Sequence, residues 1–409
     1  MQPLYQFVFH YPLFMAFLLM FGAIIYDCFR ERKPDIDHLP ETPLVSILIP
    51  CHNEQECIRE TIGFLDNQTY PNLEIIAIDD ASTDGTLAIL REMAAQRPRL
   101  RILSMRTNQG KGMGLTLAAL AARGEYLVCI DADALLDHDA VRYILWHFLH
   151  FPRVGAVTGN PRVRNRTSML GKIQVGEYSS IVGMIKRTQR VVGKIFTVSG
   201  VICAFRKRAL QSVNYWSNDM YTEDIDISWK LNLAFWDIRY EPRALCWILM
   251  PETLRGLWKQ RLRWARGGSE VLKKYTRHIL SWSQRRIWPV YLEYGLSVVW
   301  AYGLALTVFF FLLGQVVPLP EGLRVQSILP GWTGMILSIA CLMQIALGLI
   351  LDSRFEPKLW RLFFWLIWYP AIYWILNAAV TIVGFPQAMA RRPGVPAVWE
   401  SPDRGVHHG

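Results

Sequence analysis

Four long stretches without a charged side chain constrain this 409-residue chain more than any other feature. No Asp, Glu, Lys or Arg occurs within residues 1–26, 295–320, 325–351 and 362–390. A helix needs about 20 apolar residues to cross the hydrocarbon core of a bilayer, and a soluble core could hardly bury four such lengths. We therefore predict four membrane-spanning helices, which lie at roughly 7–27, 292–314, 332–351 and 362–385.

Basic residues directly after the first stretch indicate its orientation. Arg30, Arg32 and Lys33 follow it, and loops rich in Lys and Arg stay in the cytosol. Because nothing basic precedes the stretch and no small-residue cleavage site follows it, we do not interpret it as a signal peptide. We expect the N-terminus outside and the residues from 30 onward in the cytosol.

The C-terminal end conflicts with this orientation. Four crossings put the tail outside, whereas Arg391, Arg392 and Arg404 favour the cytosol. Pro370 interrupts the last stretch, because proline cannot donate a helical hydrogen bond. An alternative, in which one C-terminal segment lies in the interface without crossing, removes the conflict.

The net charge of +10 is concentrated beside the second apolar stretch. Residues 253–286 contain ten Lys or Arg and one acid, Glu270. This block favours contact with a nucleotide diphosphate and with anionic lipid head groups, or it marks the cytosolic side alone. Nucleic acid is disfavoured, because no recognition motif accompanies the block and a membrane span adjoins it.

Short apolar runs alternate with helical patterns between the first two membrane stretches. The strand-like runs are residues 44–50, 73–78, 100–104 and 126–130. Such alternation predicts a parallel sheet with helices on both faces, whose ligands bind beyond the carboxyl ends of the strands. Because Asp79-Asp80 and Asp131-Ala132-Asp133 follow two of these strands, we expect both motifs in one crevice.

The acidic motifs favour a diphosphate site. Asp131 and Asp133 offer hard oxygen ligands to Mg²⁺ or Mn²⁺, with phosphates completing the coordination shell. Asp80 is a candidate ligand for a ribose hydroxyl or a base edge, or it only stabilises a turn. Lys111, within the glycine-rich residues 110–114, starts a helix from which it could reach a phosphate oxygen.

Two further motifs complete the predicted site. Thr222 is expected to cap a helix at 224–234, with Asp224 in its first turn as a general base or merely a capping acid. Residues 253–266 form an amphipathic, interfacial helix. On it, we expect Arg263 to pair with a diphosphate and Trp264 to form an apolar wall for a sugar ring, with Gln260 beside them.

In this order, the motifs resemble those of processive, inverting family 2 glycosyltransferases, which include cellulose, hyaluronan and chitin synthases. The resemblance covers residues 44–266 and is carried by residues 50–54, Asp79-Asp80, Asp131-Ala132-Asp133, Thr222-Glu223-Asp224 and residues 260–264. It implies a GT-A-like, Rossmann-like α/β domain in the cytosol plus transmembrane helices.

Nearly the whole chain is similar to the bacterial poly-β-1,6-N-acetylglucosamine synthases of biofilm operons. This likeness is carried by residues 154–162, 171–178, 240–262 and 399–405. Ala81 replaces the Gly that often follows the paired acids in these proteins, which puts little in doubt, because Ala is also small.

The resemblance implies roles for individual residues. Asp224 and Glu223 would be catalytic, and Asp133 would ligate Mg²⁺ (or Mn²⁺). Inversion at the sugar would turn an α-linked UDP-N-acetylglucosamine donor into a β-1,6-linked polymer. The residues that would hold the nucleotide sugar are Glu54, Asp80, Lys111, Asp131, Gln260, Arg263 and Trp264.

It also implies an organisation. The polysaccharide would grow on the cytosolic face of a bacterial inner membrane and leave between the membrane helices. Candidate contacts, which could instead form an interfacial aromatic belt or pack between helices, are Tyr294, Trp300, Tyr302, Trp365, Trp368, Tyr369, Tyr373, Trp374 and Asn377. A small two-span partner subunit and control by cyclic di-GMP are implied as well. Arg162 and Arg166 suggest a cyclic-di-GMP arm, or a basic surface beside the donor site. The implied segments are 1–30 (transmembrane), 35–250 (glycosyltransferase), 251–286 (interfacial), 287–390 (transmembrane) and 391–409 (tail).

Two alternatives stay open. Another family 2 synthase, of the hyaluronan, chitin or cellulose type, would share every motif and differ in its donor sugar. A catalytically inactive, nucleotide-binding membrane subunit would share the fold, but Asp133, Asp224 and Arg263 argue against it.

Overall fold

The computed structural model describes residues 2–31, 33–325, 327–328, 331–392 and 394–396. The predicted contributions of Arg32, Arg404 and residues 399–405 lie outside these ranges. The described strands are β1 Val45–Cys51, β2 Leu73–Asp79, β3 Leu100–Ser104, β4 Tyr126–Ile130, β5 Leu135–Leu136, β6 Val154–Val163, β7 Ile202–Arg206 and β8 Asp237–Ile248. The described α-helices are α1 Gln2–Ile25, α2 Ile58–Leu65, α3 Thr86–Gln96, α4 Lys111–Ala121, α5 Ala140–His150, α6 Met169–Glu177, α7 Gly183–Val192, α8 Lys207–Ser212, α9 Glu223–Leu233, α10 Leu254–Ile279, α11 Trp288–Val316, α12 Gly331–Asp352, α13 Phe363–Leu366 and α14 Tyr369–Ala390.

The strands form one eight-stranded sheet in the order β3-β2-β1-β4-β7-β6-β8-β5. Strands β3, β2, β1 and β4 are parallel, as predicted. The prediction extended no further than these four strands, and beyond them β7 pairs antiparallel with both β4 and β6. All five residues of β7 are buried. Its sequence therefore lacks the alternation of apolar and polar residues by which an antiparallel strand is often recognised.

Helices cover both faces of the sheet, and β1 shows why. Successive side chains of a strand point to opposite faces, so Ile47 and Ile49 pack against α2, α3 and α5 in one core. Leu48, between them, packs against α4, α8 and α9 in the other. The apolar run 44–50 therefore has no polar face, and the prediction of helices on both faces is confirmed.

Three helical segments are long and apolar enough to cross a membrane, among the residues that the structure describes. They are Pro3–Arg30, Trp282–Val316 and Gly331–Asp352. The fourth predicted span, 362–385, is not among them. That stretch is divided between α13 and α14, and Asn377 and Gln387 lower the apolar character of α14. Helix α14 lies along α10, where a Cβ on Gly384 would be 3.2 Å from the Cβ of Ala265.

Buried ion pairs join the end of α12 to the α/β domain. Asp352 accepts from Arg162 at 2.6 Å and from Arg187 at 2.8 Å, and all three side chains are almost fully buried. Glu356 pairs with Arg162 and with Arg166. The prediction of a basic surface or a cyclic-di-GMP arm at Arg162 and Arg166 is therefore wrong for Arg162, because it is 1 % exposed and its charge is matched by acids more than 180 residues away in sequence.

Candidate active site

A cleft of about 1010 Å³ lies between the sheet, α7, α9, α10, α11 and α14. Its walls include most of the predicted site residues, although they are spread over more than 200 positions of the chain. Asp80 does not line the cleft. The predicted residues that do are Glu54, Lys111, Asp131, Asp133, Glu223, Asp224, Gln260, Arg263 and Trp264.

Lys111 connects the sheet wall of the cleft to α9. Its Nζ lies 2.7 Å from Asp131 Oδ1 and 3.1 Å from Glu223 Oε1, and it donates to the carbonyl of Gly200 at 3.4 Å. The sequence predicted that Lys111 reaches a phosphate. In the structure its charge is shared by two carboxylates, so an incoming phosphate would join an existing network of ion pairs.

The charges of this network stabilise one another despite burial. Burial lowers the pKa of Lys111, but Asp131 and Glu223 outweigh it and hold that pKa well above its usual value. Burial raises the pKa of Glu223, but Lys111 more than offsets it and the net shift is downward. Burial dominates for Asp131 and raises its pKa, with Lys111 opposing and Asp133 adding to the rise. Lys111 and Glu223 thus remain charged at neutral pH.

Asp224 lies in the first turn of α9 and faces the cleft. The backbone N–H of Ile225 donates to its Oδ1 at 2.9 Å, and that of Gly200 donates to its Oδ2 at 3.2 Å. Burial, followed by the negative charge of Glu223, raises the pKa of Asp224 to about 6. A carboxylate with a raised pKa in a cleft is suited to accept a proton near neutral pH.

The capping prediction for Thr222 is only half right. Helix α9 begins directly after Thr222, but the side chain of Thr222 makes no capping hydrogen bond. Its hydroxyl instead faces α10, where a Cβ built on Gly267 would lie 1.9 Å from it. Only glycine allows the two helices to approach this closely, so Gly267 brings α10 onto the Thr222-Glu223-Asp224 motif.

Asp80 is 1 % exposed and lies behind the cleft. Both of its oxygens accept backbone N–H groups, from Gln109 and from Gly110, each at 2.8 Å. Gly110 has a φ of 86°, a value that favours glycine. Asp80 therefore orients the loop that carries Lys111, and a direct contact with a nucleotide stays a prediction.

Helix α10 carries the predicted Gln260, Arg263 and Trp264 to the opposite wall. Arg263 is exposed to the cleft and forms no ion pair with the described residues. It nevertheless lies close enough to lower the pKa of both Glu223 and Asp224. The carboxamide oxygen of Gln260 is buried without a partner among the described residues. These two side chains have unused hydrogen-bonding capacity that a ligand could take up.

Arg261 was missed by the sequence interpretation. It is 4 % exposed, donates to Glu177 at 2.6 Å and lies over the ring of Trp264 at 4.2 Å. It holds Trp264 in the wall of the cleft. Its position in the sequence could have revealed it. Arg261 lies four residues from both Leu257 and Ala265, on the apolar stripe of the helix, and a charged side chain there requires a buried partner.

The cleft continues between α11 and α14. Of the nine predicted polymer contacts, Tyr294 and Asn377 line it, whereas Trp300, Tyr302, Trp365, Trp368, Tyr369, Tyr373 and Trp374 do not. Glu293, Ser297 and Thr381 also line this end and were not singled out from the sequence. This end of the cleft thus offers polar groups to a ligand, among apolar side chains such as Val298 and Val380.

Asp131 and Asp133 fit a divalent cation only in part. They supply hard oxygen atoms at the end of β4, close enough for Asp133 to raise the pKa of Asp131. No group of three or more His, Cys, Asp or Glu in the described ranges is arranged to hold a metal by itself. Phosphate oxygens would have to complete the shell, as is usual for Mg²⁺.

Comparisons with known proteins agree with this arrangement. Residues 46–213 match the family model of glycosyl transferase family 2. The chain is 39 % identical over 408 residues to a poly-β-1,6-N-acetyl-D-glucosamine synthase of Staphylococcus epidermidis, with 98 % of each chain covered. It is 40 % identical over 410 residues to the synthase of that name from Staphylococcus aureus strain COL, again with 98 % of each covered.

Among solved structures, a mannosyltransferase from Pyrobaculum calidifontis in complex with GDP-Man and Mn²⁺ has a similar fold. The TM-score is 0.64 at 20 % identity, with 95 % of this chain and 99 % of that one covered. The fold of this chain is therefore a known architecture. The chain is a glycosyltransferase and belongs to glycosyl transferase family 2, in the group of the poly-β-1,6-N-acetyl-D-glucosamine synthases.

Proposed function

We propose that this enzyme polymerises N-acetylglucosamine from UDP-N-acetylglucosamine into a β-1,6-linked exopolysaccharide, with inversion at the sugar and export across the inner membrane. One observation carries the proposal. A single cleft contains a carboxylate poised as a base, two basic side chains suited to a diphosphate, and a polar continuation between membrane helices. The relatives at about 40 % identity support the choice of sugar and linkage.

The donor diphosphate would lie between the two walls of the cleft. Arg263 offers a planar guanidinium that matches phosphate oxygens and has no competing ion pair among the described residues. Lys111 adds a second positive charge from the opposite wall. A bound Mg²⁺ or Mn²⁺, held by Asp133 with Asp131, would neutralise the charge that develops on the leaving UDP.

Asp224 would remove the proton from the acceptor hydroxyl. The acceptor oxygen attacks the anomeric carbon as the bond to the diphosphate breaks, so that an α-linked donor gives a β-linkage. The hydrogen bonds from Gly200 and Ile225 keep the carboxylate pointing into the cleft. Trp264, held by Arg261, would offer a flat apolar surface to the sugar and limit access of water.

The membrane arrangement we propose has three crossings, with the N-terminus outside and the catalytic domain in the cytosol. Arg354, after the third candidate span, pairs with Asp27 and Glu31, which lie at the end of the first span and directly after it. Arg391 pairs with Glu270 of α10 at 2.9 Å, which supports the same side for the end of α14. This arrangement removes the conflict over the C-terminal arginines. A small two-span partner subunit remains part of the proposal, without a contact assigned to it.

Reconstitution in lipid tests the proposal. The purified protein is supplied with UDP-N-acetylglucosamine or UDP-glucose, with and without Mg²⁺, and release of UDP and formation of polymer are measured. We expect turnover only with UDP-N-acetylglucosamine and a divalent cation. Equal turnover with UDP-glucose would favour a cellulose-type synthase, and binding of UDP without any turnover would favour an inactive regulatory subunit.

A further inference from the structure

Lys186, on α7, is a buried charge without an acidic partner. It is 4 % exposed, and no carboxylate lies within ion-pair distance of it among the residues that the structure describes. Within the described ranges, its Nζ donates to three neutral oxygens, which are Ser199 Oγ at 2.6 Å, Thr158 Oγ1 at 3.0 Å and the carbonyl of Gly159 at 3.4 Å. It also lies 5.6 Å from the centre of the Tyr240 ring. Burying an ammonium group in this way is costly, so a residue that only fills space would be expected to be apolar.

These oxygens fix a loop beside the catalytic base. The loop, residues 197–201, precedes β7 and lines the cleft. Ser199 is held twice, because its backbone N–H donates to Thr158 Oγ1 at 2.9 Å while its hydroxyl accepts from Lys186. The next residue, Gly200, donates to Asp224 at 3.2 Å and accepts from Lys111 at 3.4 Å. Lys186 thus holds Ser199, and the neighbouring Gly200 makes the contacts that orient Asp224 and Lys111.

Helix α7 connects this loop to the membrane. Thr188, two residues after Lys186, donates to the carbonyl of Leu19 in α1 at 3.1 Å. A Cβ on Gly22 would lie 2.5 Å from Thr188, so the two helices are in close contact. Met184 packs in one cluster with Leu19 and Met20. The position of Lys186 is therefore set by the first membrane helix.

We propose that Lys186 is a positioning residue of the glycosyl transfer reaction, which holds the loop 197–201 against Asp224 and makes the geometry of the base depend on the seating of α7 on the membrane helix α1. Two observations support this role. Lys186 lines the catalytic cleft, and burial lowers its pKa to about 7, a cost that a space-filling side chain would avoid. The inference rests on the proposed function, because the base it positions is that of the transfer.

Substitution of Lys186 by methionine, which keeps the length of the side chain, tests the proposal in the full-length protein reconstituted in lipid. A displacement of about 1 Å at a reacting group can reduce turnover about 100-fold. We expect Lys186→Met to lower kcat by that order while the KM for UDP-N-acetylglucosamine changes less than threefold, because the ion pairs with Asp131 and Glu223 hold Lys111 even if the Gly200 carbonyl shifts. Lys194→Met is the matched control, since Lys194 donates to the carbonyl of Trp236 outside the cleft, and its kcat should equal that of the wild type.

Ser199→Ala provides a second variant that keeps the buried charge and removes only the hydroxyl acceptor. It should lower kcat by a smaller factor in the same direction. Combining it with Lys186→Met should lower kcat no further than Lys186→Met alone, because both act through one contact. A kcat of Lys186→Met within threefold of the wild type would overturn the inference, and so would independent, multiplicative effects in the double variant. Wild-type turnover measured in parallel separates a failure of this inference from a failure of the proposed function.

Discussion

The two walls of the catalytic cleft are built on opposite principles. On the sheet side, the charges are matched within the protein, because Lys111 pairs with Asp131 and Glu223 and is held in place before any ligand arrives. On the α10 side, Arg263 has no ion pair within the described ranges, although the buried Arg261 two residues earlier is paired with Glu177. The difference suggests a preorganised wall for chemistry and an open wall for capture of the donor.

The largest expected effect concerns the base on the preorganised wall. Asp224→Asn keeps the shape of the side chain and removes its ability to accept a proton, so turnover should fall about 10³-fold while UDP binding persists. UDP release and UDP affinity, measured on the same preparation, check both parts. Asp37→Asn, at a position with an 80 % exposed side chain, serves as the control. Near-normal turnover of Asp224→Asn would remove it as the base.

The second effect concerns the contact between the walls. Gly267→Ala places a methyl group 1.9 Å from the Thr222 hydroxyl, so α10 must move away from α9. We expect turnover to fall about 100-fold, since small misplacements at a reacting centre are that costly. A Cβ on Gly295 meets nothing within 4 Å, so Gly295→Ala should behave as the wild type. Equal turnover of the two variants would show that the walls need not meet closely.

The third effect separates the two arginines of α10. Arg263→Ala should raise the KM for the donor about tenfold to 100-fold, because it removes one or two charged hydrogen bonds to the donor. The stability of the protein should change little. Arg261→Ala should instead lower the free energy of unfolding by about 3–5 kcal/mol, because it leaves Glu177 buried without its partner. Donor kinetics and thermal unfolding of both variants are the measurements. A destabilised Arg263→Ala with an unchanged KM, or a stable Arg261→Ala with a raised KM, would contradict the distinction between the paired and the open side chains of α10.

The fourth effect is a pH dependence with a defined sign. Because burial raises the pKa of Asp224 to about 6, the base is ionised above pH 6 and becomes protonated below it. Turnover should therefore fall by about tenfold for each unit of pH below 6. Glu223 has a lowered pKa and Lys111 a raised one, so neither should contribute a transition near neutrality. The measurement is the turnover of the wild type from pH 5 to pH 8. Turnover that does not fall below pH 6 would contradict Asp224 as the base.

The smallest effect lies behind the preorganised wall. Ala81 has a φ of 53°, a conformation that costs an L-residue about 1–2 kcal/mol. The resemblance led us to expect glycine at this position, and the φ value shows that a glycine would be favoured here by backbone conformation and not by the size of the side chain. Ala81→Gly should stabilise the folded protein by up to about 1 kcal/mol. The gain is smaller than the strain that it removes, because glycine also increases the conformational entropy of the unfolded chain. Thermal unfolding measures it, and destabilisation would contradict the reason given.

The sequence predicted the first half of the sheet well because local patterns determine it. Strand β4 has the bounds expected from residues 126–130, and α4 and α9 begin within one residue of the predicted positions. The antiparallel β7 was not predicted, because the direction of a short buried strand depends on contacts far away in sequence. For the same reason, the buried cluster of Arg162 and Asp352 could not be predicted from either residue alone.

The candidate site was predictable as a set of motifs, but not in the division of labour among its residues. Asp131, Asp224 and Arg263 were expected in one crevice, and all three line the same cleft. Asp80 has the local sequence of a ligand-binding turn, yet its oxygens are used by the Gln109 and Gly110 amides, which come from another segment. Lys186 gave no signal, since a lysine on an amphipathic helix usually faces solvent.

A structure of the reconstituted protein with bound UDP-N-acetylglucosamine and Mg²⁺ is the most direct test of the account. We predict that the diphosphate lies between Lys111 and Arg263, with the metal at Asp133 and the anomeric carbon on the Asp224 side of the cleft. A donor bound outside this cleft, or one that leaves Arg263 in solvent and Asp224 remote from the sugar, would contradict the account.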